Sequence, residues 1–243
     1  MEGEGMISDR PALGTLTEGL LREIFPICRS ITGESVRQGL GVLACHAPLT
    51  IQEHPNGIPY FDWTIPRKWN VKEAWIKNAS GLKVVDFAQN NLYLVSYSTP
   101  VQTRLAWKEL EPHLHALPRV PRAVSYRTSY YREDWGFCLS HEQQDALDRQ
   151  GRYEVLVDNE LKQGSLTLAE ARLVGTSGRE YLFSFYCCHP SMANDNLSGI
   201  VLITLFCREL AGRALRHSYR LIIAPRPSGS SPTWPVIKAR YAC

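Results

Sequence analysis

The residues with the most chemistry in this sequence lie together in Cys188-His-Pro-Ser-Met-Ala-Asn-Asp-Asn-Leu-Ser-Gly199. His189 offers a neutral imidazole and Asp195 a carboxylate, and both are ordinary zinc ligands. An apolar run ends at His189, and a helical pattern starts at or just after Asp195. Both residues therefore fall between the C-terminal end of a strand and the N-terminus of a helix, where ligands gather in α/β folds. The same residue types also suit a loop with no chemistry, because Asn194, Asp195 and Ser198 are favoured helix N-caps. One His and one Asp are fewer than the three protein ligands of a catalytic zinc. On residue types alone, a capping loop and a metal loop both fit.

Other candidates carry less. His113 and His115 alternate in Glu111-Pro-His-Leu-His115 and could chelate from one strand face, but Pro112 and Leu114 favour a packed loop or strand. His141 follows Ser140, which is placed to cap a helix running to Leu147. The seven cysteines form no CxxC pair, and their odd number predicts reduced thiols in a cytoplasmic protein. Cys187 and Cys188 sit in an apolar run, which favours burial over reactivity.

The elements that must position the loop follow from hydrophobic spacing. Leu16, Leu20, Leu21 and Ile24 form one stripe of a helix over Thr15 to Phe25, and Val36, Leu40 and Leu43 form one face of a second, starting near Gly33. Residues 153–158 and 165–174 alternate as strands. Tyr181 to Cys188 is apolar except for Ser184, which predicts a strand buried on both faces. Asp195 to Gly212 predicts a helix apolar nearly all round and ended by its glycine. Tyr219 to Ala224 predicts another buried strand. Strand, helix, strand over 181–224 is a βαβ unit with a parallel pair.

Between residues 46 and 140 the texture is aromatic, Pro-containing and β-branched, and it holds five of the six tryptophans (63, 69, 75, 107 and 135). A separate β-rich domain is expected there, with its aromatics in the core and Trp107 and Trp69 nearer the surface. The expected layout is N-terminal helices over 1–45, an inserted β-rich domain over 46–140 and an α/β domain over 141–225. An irregular tail over 226–243 completes it. The sequence leads into it through Pro225-Arg-Pro-Ser-Gly229, and residues 225–243 hold four of the 15 prolines, so they propagate neither a helix nor a central strand.

Composition narrows the class. The chain has 243 residues, 44% hydrophobic and 21% charged, which excludes a mostly disordered protein. A net charge of +3 spread over this length gives no reason to expect a nucleic-acid partner. No stretch approaches the ~20 apolar residues of a membrane-spanning helix.

His189-Pro-Ser-Met-Ala-Asn-Asp-Asn-Leu-Ser-Gly199 resembles the metal-binding loop of aminopeptidase-like proteins related to bacterial zinc aminopeptidases. Further matching segments are residues 25–33 (Phe-Pro-Ile-Cys-Arg-Ser-Ile-Thr-Gly), 62–66, 95–98, 128–131, 135–140 and 158–165, so the likeness spans roughly 15–225. The resemblance implies an α/β fold with a mixed, mostly parallel sheet and an inserted β-domain. It implies zinc bound by His189 and by a bridging Asp195, a cis peptide after Asp195, and hydrolysis of an N-terminal peptide or related amide bond by a metal-activated water. The wider clan has Asp where this chain has Ser191, a position that orients the metal-binding imidazole; the subfamily commonly has Ser. The resemblance also places a general-base Glu, more carboxylate ligands and a last His beyond Ala224, where this sequence has no ligand side chain except Cys243. A C-terminal truncation is therefore expected, with a frameshift near codon 226, exposed apolar sheet edge beside Leu221 to Ala224, and no tight zinc binding or turnover in this chain. The rival reading is a non-catalytic protein on the same scaffold that binds peptide or glycan through its β-domain.

Overall fold

The computed structural model describes residues 10–60, 63–129 and 132–225. The chain divides into two compact units, one of residues 1–65 and 164–243 and the other of residues 66–163. The first unit opens with helices α1 (Arg10–Ile24) and α2 (Glu34–Ala44), then strands β1 (Thr50–Pro55), β2 (Pro59–Tyr60) and β3 (Trp63–Thr64). The second unit contains β4 (Lys68–Lys77), β5 (Lys83–Asp86), β6 (Val101–Ala106), α3 (Trp107–Leu110), β7 (Leu114–His115), β8 (Phe137–Cys138), α4 (His141–Asp145) and β9 (Arg152–Lys162). The chain then returns to the first unit with β10 (Ser165–Leu173), β11 (Glu180–Tyr186), α5 (Ser198–Leu210) and β12 (Ser218–Ala224).

The boundaries between units differ from those that texture suggests. Residues 46–65 belong to the first unit because β1 pairs with β10 over its whole length, and residues 141–163 belong to the second because β9 pairs with β4 and β6. Strand pairing, not local composition, decides membership.

In the first unit the sheet order is β1-β10-β12-β11. β1–β10 and β10–β12 are antiparallel, and β11–β12 is parallel. In the second unit the order β5-β4-β9-β6 is antiparallel throughout. The sheets are thus mostly antiparallel, against the expected mostly parallel sheet. A parallel pair needs a long crossover, usually a helix, and α5 between β11 and β12 supplies one.

Helices α1, α2 and α5 share one core with the sheet. Leu20 and Ile24 of α1, Val36, Leu40 and Leu43 of α2, and Ile200, Val201 and Ile203 of α5 are buried with Ala169, Ala171, Leu221 and Ile223. Each such Leu or Ile contributes roughly 1.5–3 kcal/mol by leaving water. α1 stops at Ile24, just before Phe25-Pro26, where the residue preceding proline disfavours helix. α5 ends at Leu210, and Gly212 beyond it takes φ 79°, the left-handed conformation that glycine tolerates.

Across β10, β12 and β11 a charge ladder holds the strands. Arg172 and Arg220 stand directly opposite each other in register, an unfavourable like-charge pair taken alone. Glu180 offsets it by accepting from both, at 2.8 Å from Arg172 Nε and 2.7 Å from Arg220 Nε. Glu170 pairs with Arg220 as well.

Two expectations about strands need correction. Among the described residues β11 is an edge strand, with Tyr181 49% and Leu182 43% exposed, so it is not buried on both faces. β12 has neighbours on both sides, so the exposed apolar edge is β11 and not Leu221 to Ala224. The expected irregular tail, 226–243, lies outside the described residues. In the second unit Trp69 and Trp107 are 3% and 6% exposed, correcting their expected surface placement. Trp69 stacks on Tyr97 with centroids 5.5 Å apart, and its indole N–H donates to the Ser98 carbonyl, which satisfies its one polar atom inside the core.

Candidate metal centre

β11 ends at Tyr186, and Cys187 and Cys188 continue into the buried interior, as their apolar context implies. Burial raises the Cys187 thiol well above its ordinary value, so it stays protonated and serves as packing. His189 follows, with its side chain 12% exposed. A π-helical turn over Ala193–Leu197 then leads into α5. Asp195 leaves helical geometry inside that turn, at φ −114° and ψ 89°, and the Asp195–Asn196 peptide is cis, as the resemblance implies.

The loop brings the two singled-out residues together. His189 Nδ1 lies 3.3 Å from Asp195 Oδ1, and the Tyr186 hydroxyl donates to that same oxygen at 2.6 Å. The Tyr186 and His189 rings meet edge to face with centroids 5.3 Å apart. Asp195 is half exposed, so the pair faces solvent on one side. Neither helical segment begins on a side-chain cap: the preceding residues are Met192 and Leu197, and the Ser198 hydroxyl donates backward to the Asn194 carbonyl. The capping alternative for Asp195 is therefore not the one its carboxylate adopts.

The distance is informative. A charge-assisted N–H···O bond closes to about 2.7–2.9 Å, which 3.3 Å exceeds. Zinc bonds of about 2.0–2.2 Å at a tetrahedral angle set two donor atoms roughly 3.3 Å apart. Among the described residues no group of three or more His, Cys, Asp or Glu side chains is arranged to hold a metal, so a closed ligand set is not formed by them.

Several neighbours could not be read from residue spacing. Tyr186, three positions before His189, fixes Asp195 through a hydroxyl that a strand pattern registers only as one more aromatic. Ser191, which takes φ 33°, donates its hydroxyl to the Phe25 carbonyl at 2.9 Å and ties the loop to the turn after α1. Asn196 is 7% exposed, and neither its Oδ1 nor its Nδ2 has a hydrogen-bond partner among the described residues. Gly199 lets α5 approach β11, since a Cβ there would lie 3.1 Å from Phe185 Cδ1.

The remaining histidines do not form a second site. His113 stacks on Trp135 at 3.7 Å and bonds the Trp135 carbonyl through Nδ1, and burial lowers the pKa of His115. Ser140 caps α4 through Gln143 as expected, although that helix ends at Asp145.

A protein of Clostridium acetobutylicum, provisionally named for polysaccharide biosynthesis with an aminopeptidase-like domain, is 46% identical over 215 residues, which are 88% of this chain and 49% of that protein. A crystal structure from the same organism, provisionally titled a peptidase, is 42% identical with a TM-score of 0.89, covering 96% of this chain and 54% of that one. This chain therefore spans about half the length of those relatives. BSAP, a zinc aminopeptidase from Bacillus subtilis, superposes with a TM-score of 0.54 at 12% identity, over 87% of this chain and 60% of that one, and shows a shared fold. No helix among the described residues is long and apolar enough to cross a membrane. The family model described as a domain of unknown function (DUF4910) matches residues 18–235, and this aminopeptidase-like chain belongs to that family.

Proposed function

We propose that His189 and Asp195 are metal ligands of a zinc-dependent, aminopeptidase-like hydrolase acting on an N-terminal peptide bond or a related amide. The observation that carries this reading is the 3.3 Å separation of Nδ1 and Oδ1, which matches a tetrahedral zinc edge better than a closed hydrogen bond. The aminopeptidase-like name of the Clostridium relative supports it. His189 holds the metal through an imidazole that must be neutral to coordinate. Asp195 offers a carboxylate suited to bridging two cations, and Tyr186 keeps it aimed through its hydroxyl. A divalent cation there supplies Lewis acidity toward an amide carbonyl and generates a nucleophile from water at neutral pH. His189 and Asp195 are fewer than the three protein ligands of a catalytic zinc, and by themselves they hold a cation weakly.

Cobalt and zinc titration of the purified chain, followed by visible absorption and calorimetry, tests the ligand assignment. His189→Ala and Asp195→Ala should each weaken binding by about tenfold or more while leaving the fold intact by circular dichroism. Unchanged affinity in either variant removes that residue from the site. Zinc-dependent cleavage of aminoacyl substrates by residues 1–243 would show that the described ligands are supplemented within this chain.

A further inference from the structure

Arg29 is the largest side chain in the interior of the first unit, at 1% exposure. Burial pulls its pKa down, yet a guanidinium stays charged at neutral pH. Burying such a charge is costly unless its donors are met. Here Nη1 donates to the Ile24 carbonyl at 2.7 Å, Nε to that of Cys187 at 3.2 Å and Nη2 to that of His189 at 2.8 Å. Ile24 is the last residue of α1; its carbonyl also accepts from the Ile27 N–H at 3.1 Å, and a cation at a helix C-terminus is favourable. Cys187 and His189 lie just past the end of β11, and their carbonyls accept from Arg29. One side chain therefore joins a helix end to the backbone that carries the candidate ligand. Gly39 on α2 makes room for it, since a Cβ there would lie 3.2 Å from Arg29 Cδ.

We propose that Arg29 is the positioning residue of this centre, its guanidinium fixing the backbone after β11 so that the His189 imidazole meets Asp195. The inference rests on the reading of His189 and Asp195 as a ligand pair, but its geometric half does not need a metal. Arg29 is tied to the main-chain oxygen of His189 itself, with a second bond two residues earlier. The Ser191 hydroxyl adds a tether two residues later, to Phe25. Three attachments within five residues fix the main chain from which the imidazole projects. The turn Phe25-Pro-Ile-Cys-Arg-Ser-Ile-Thr-Gly33 thereby acquires a role, presenting Arg29 and the Phe25 carbonyl to the site loop from its buried side.

The test compares Arg29→Met, which keeps length and loses every donor, and Arg29→Lys, which keeps the charge, in the full chain. Leu43→Ala serves as a core truncation that breaks none of these bonds. Two readouts are taken: the NMR cross-relaxation between the His189 and Tyr186 rings, and cobalt affinity. Arg29→Met should lose the ring contact and bind cobalt about tenfold more weakly or worse, Arg29→Lys should recover part of both, and Leu43→Ala should lower stability and leave both unchanged. A retained ring contact in Arg29→Met overturns the proposal, as does an equal loss in Leu43→Ala. Failure of both arginine variants to fold while Leu43→Ala folds also overturns it, because Arg29 would then determine the fold rather than the site. If the unaltered chain binds no cobalt, the hydrolase reading fails, and the ring contact still decides the role of Arg29.

Discussion

Two glycines on α2 make opposite predictions for the same substitution. In a helix interior, Gly→Ala is worth up to about 1 kcal/mol in favour of alanine. At Gly41 nothing lies within 4 Å of the new Cβ, so that gain should appear in stability. At Gly39 the new Cβ meets Arg29 Cδ at 3.2 Å, Arg29 Cγ at 3.7 Å and Ile24 Cγ2 at 3.9 Å. Carbon pairs prefer about 3.5–4.0 Å, so Arg29 must retreat by a few tenths of an ångström. Its stem is buried, and its head is held by three carbonyls. Overpacking of this kind costs about 1–3 kcal/mol, which cancels or exceeds the helical gain. Gly39→Ala should therefore be less stable than Gly41→Ala by about 1–3 kcal/mol. That gap is read as urea midpoints, or as melting temperatures at about 2–4 °C per kcal/mol for a chain of this size. Equal stability of the two variants would refute the argument, because it would mean that Arg29 is free to move.

Two further predictions concern ionisation. The hydrogen bond from Arg220 holds the Glu180 carboxyl below its ordinary 4.5 against the cost of partial burial, with Arg172 adding to it. A depressed folded-state value gives stability that is complete above the unfolded pKa and drains as pH falls through the folded one. The urea midpoint of the wild type should exceed that of Glu180→Gln by a constant amount down to about pH 5 and converge on it at lower pH, and a gap that widens on acidification would contradict the ladder. Among the thiols, exposed Cys45 should react with maleimide at about pH 8, whereas half-buried Cys28, pushed up to about 12 by desolvation, should react far more slowly, and buried Cys187, held well above its ordinary value, should wait for denaturant; comparable native rates would show that the interior around Arg29 is open.

Much of the frame is legible in the sequence because it depends on neighbours at fixed spacing. The stripe Leu16, Leu20 and Ile24, the face Val36, Leu40 and Leu43, and the apolar runs on either side of α5 specify α1, α2 and the parallel β11–β12 pair through periodicities of 3.6 and 2. What failed depends on partners distant in sequence. An apolar run such as Tyr181 to Tyr186 looks the same at the centre of a sheet and at its edge, since the number of strands beside it is not written in its own residues. β1 lies in an aromatic, Pro-containing stretch, yet it pairs with β10, more than a hundred residues away, and so joins the α/β unit. Trp69 is buried because the Ser98 carbonyl happens to face its N–H, a contact that composition does not encode. Arg29 is the extreme case: nothing in its own segment specifies that the carbonyls of Cys187 and His189 come round to meet it.

The geometry at Asp195 links these long-range contacts to chemistry. The Tyr186 hydroxyl and the His189 ring both fall on Oδ1. No hydrogen bond among the described residues falls on Oδ2. An ionised carboxylate has two oxygens, each able to accept. A carboxylate that serves two cations needs one oxygen for each. Oδ1 faces the imidazole, and among the described residues no donor falls on Oδ2 of this half-exposed side chain. Tyr186 holds the carboxylate without occupying its second oxygen, and Arg29 holds the backbone of His189 through its carbonyl and not through its ring. Tyr186 and Arg29 thus steady the two proposed ligands, one through a carboxylate oxygen and the other through the main chain.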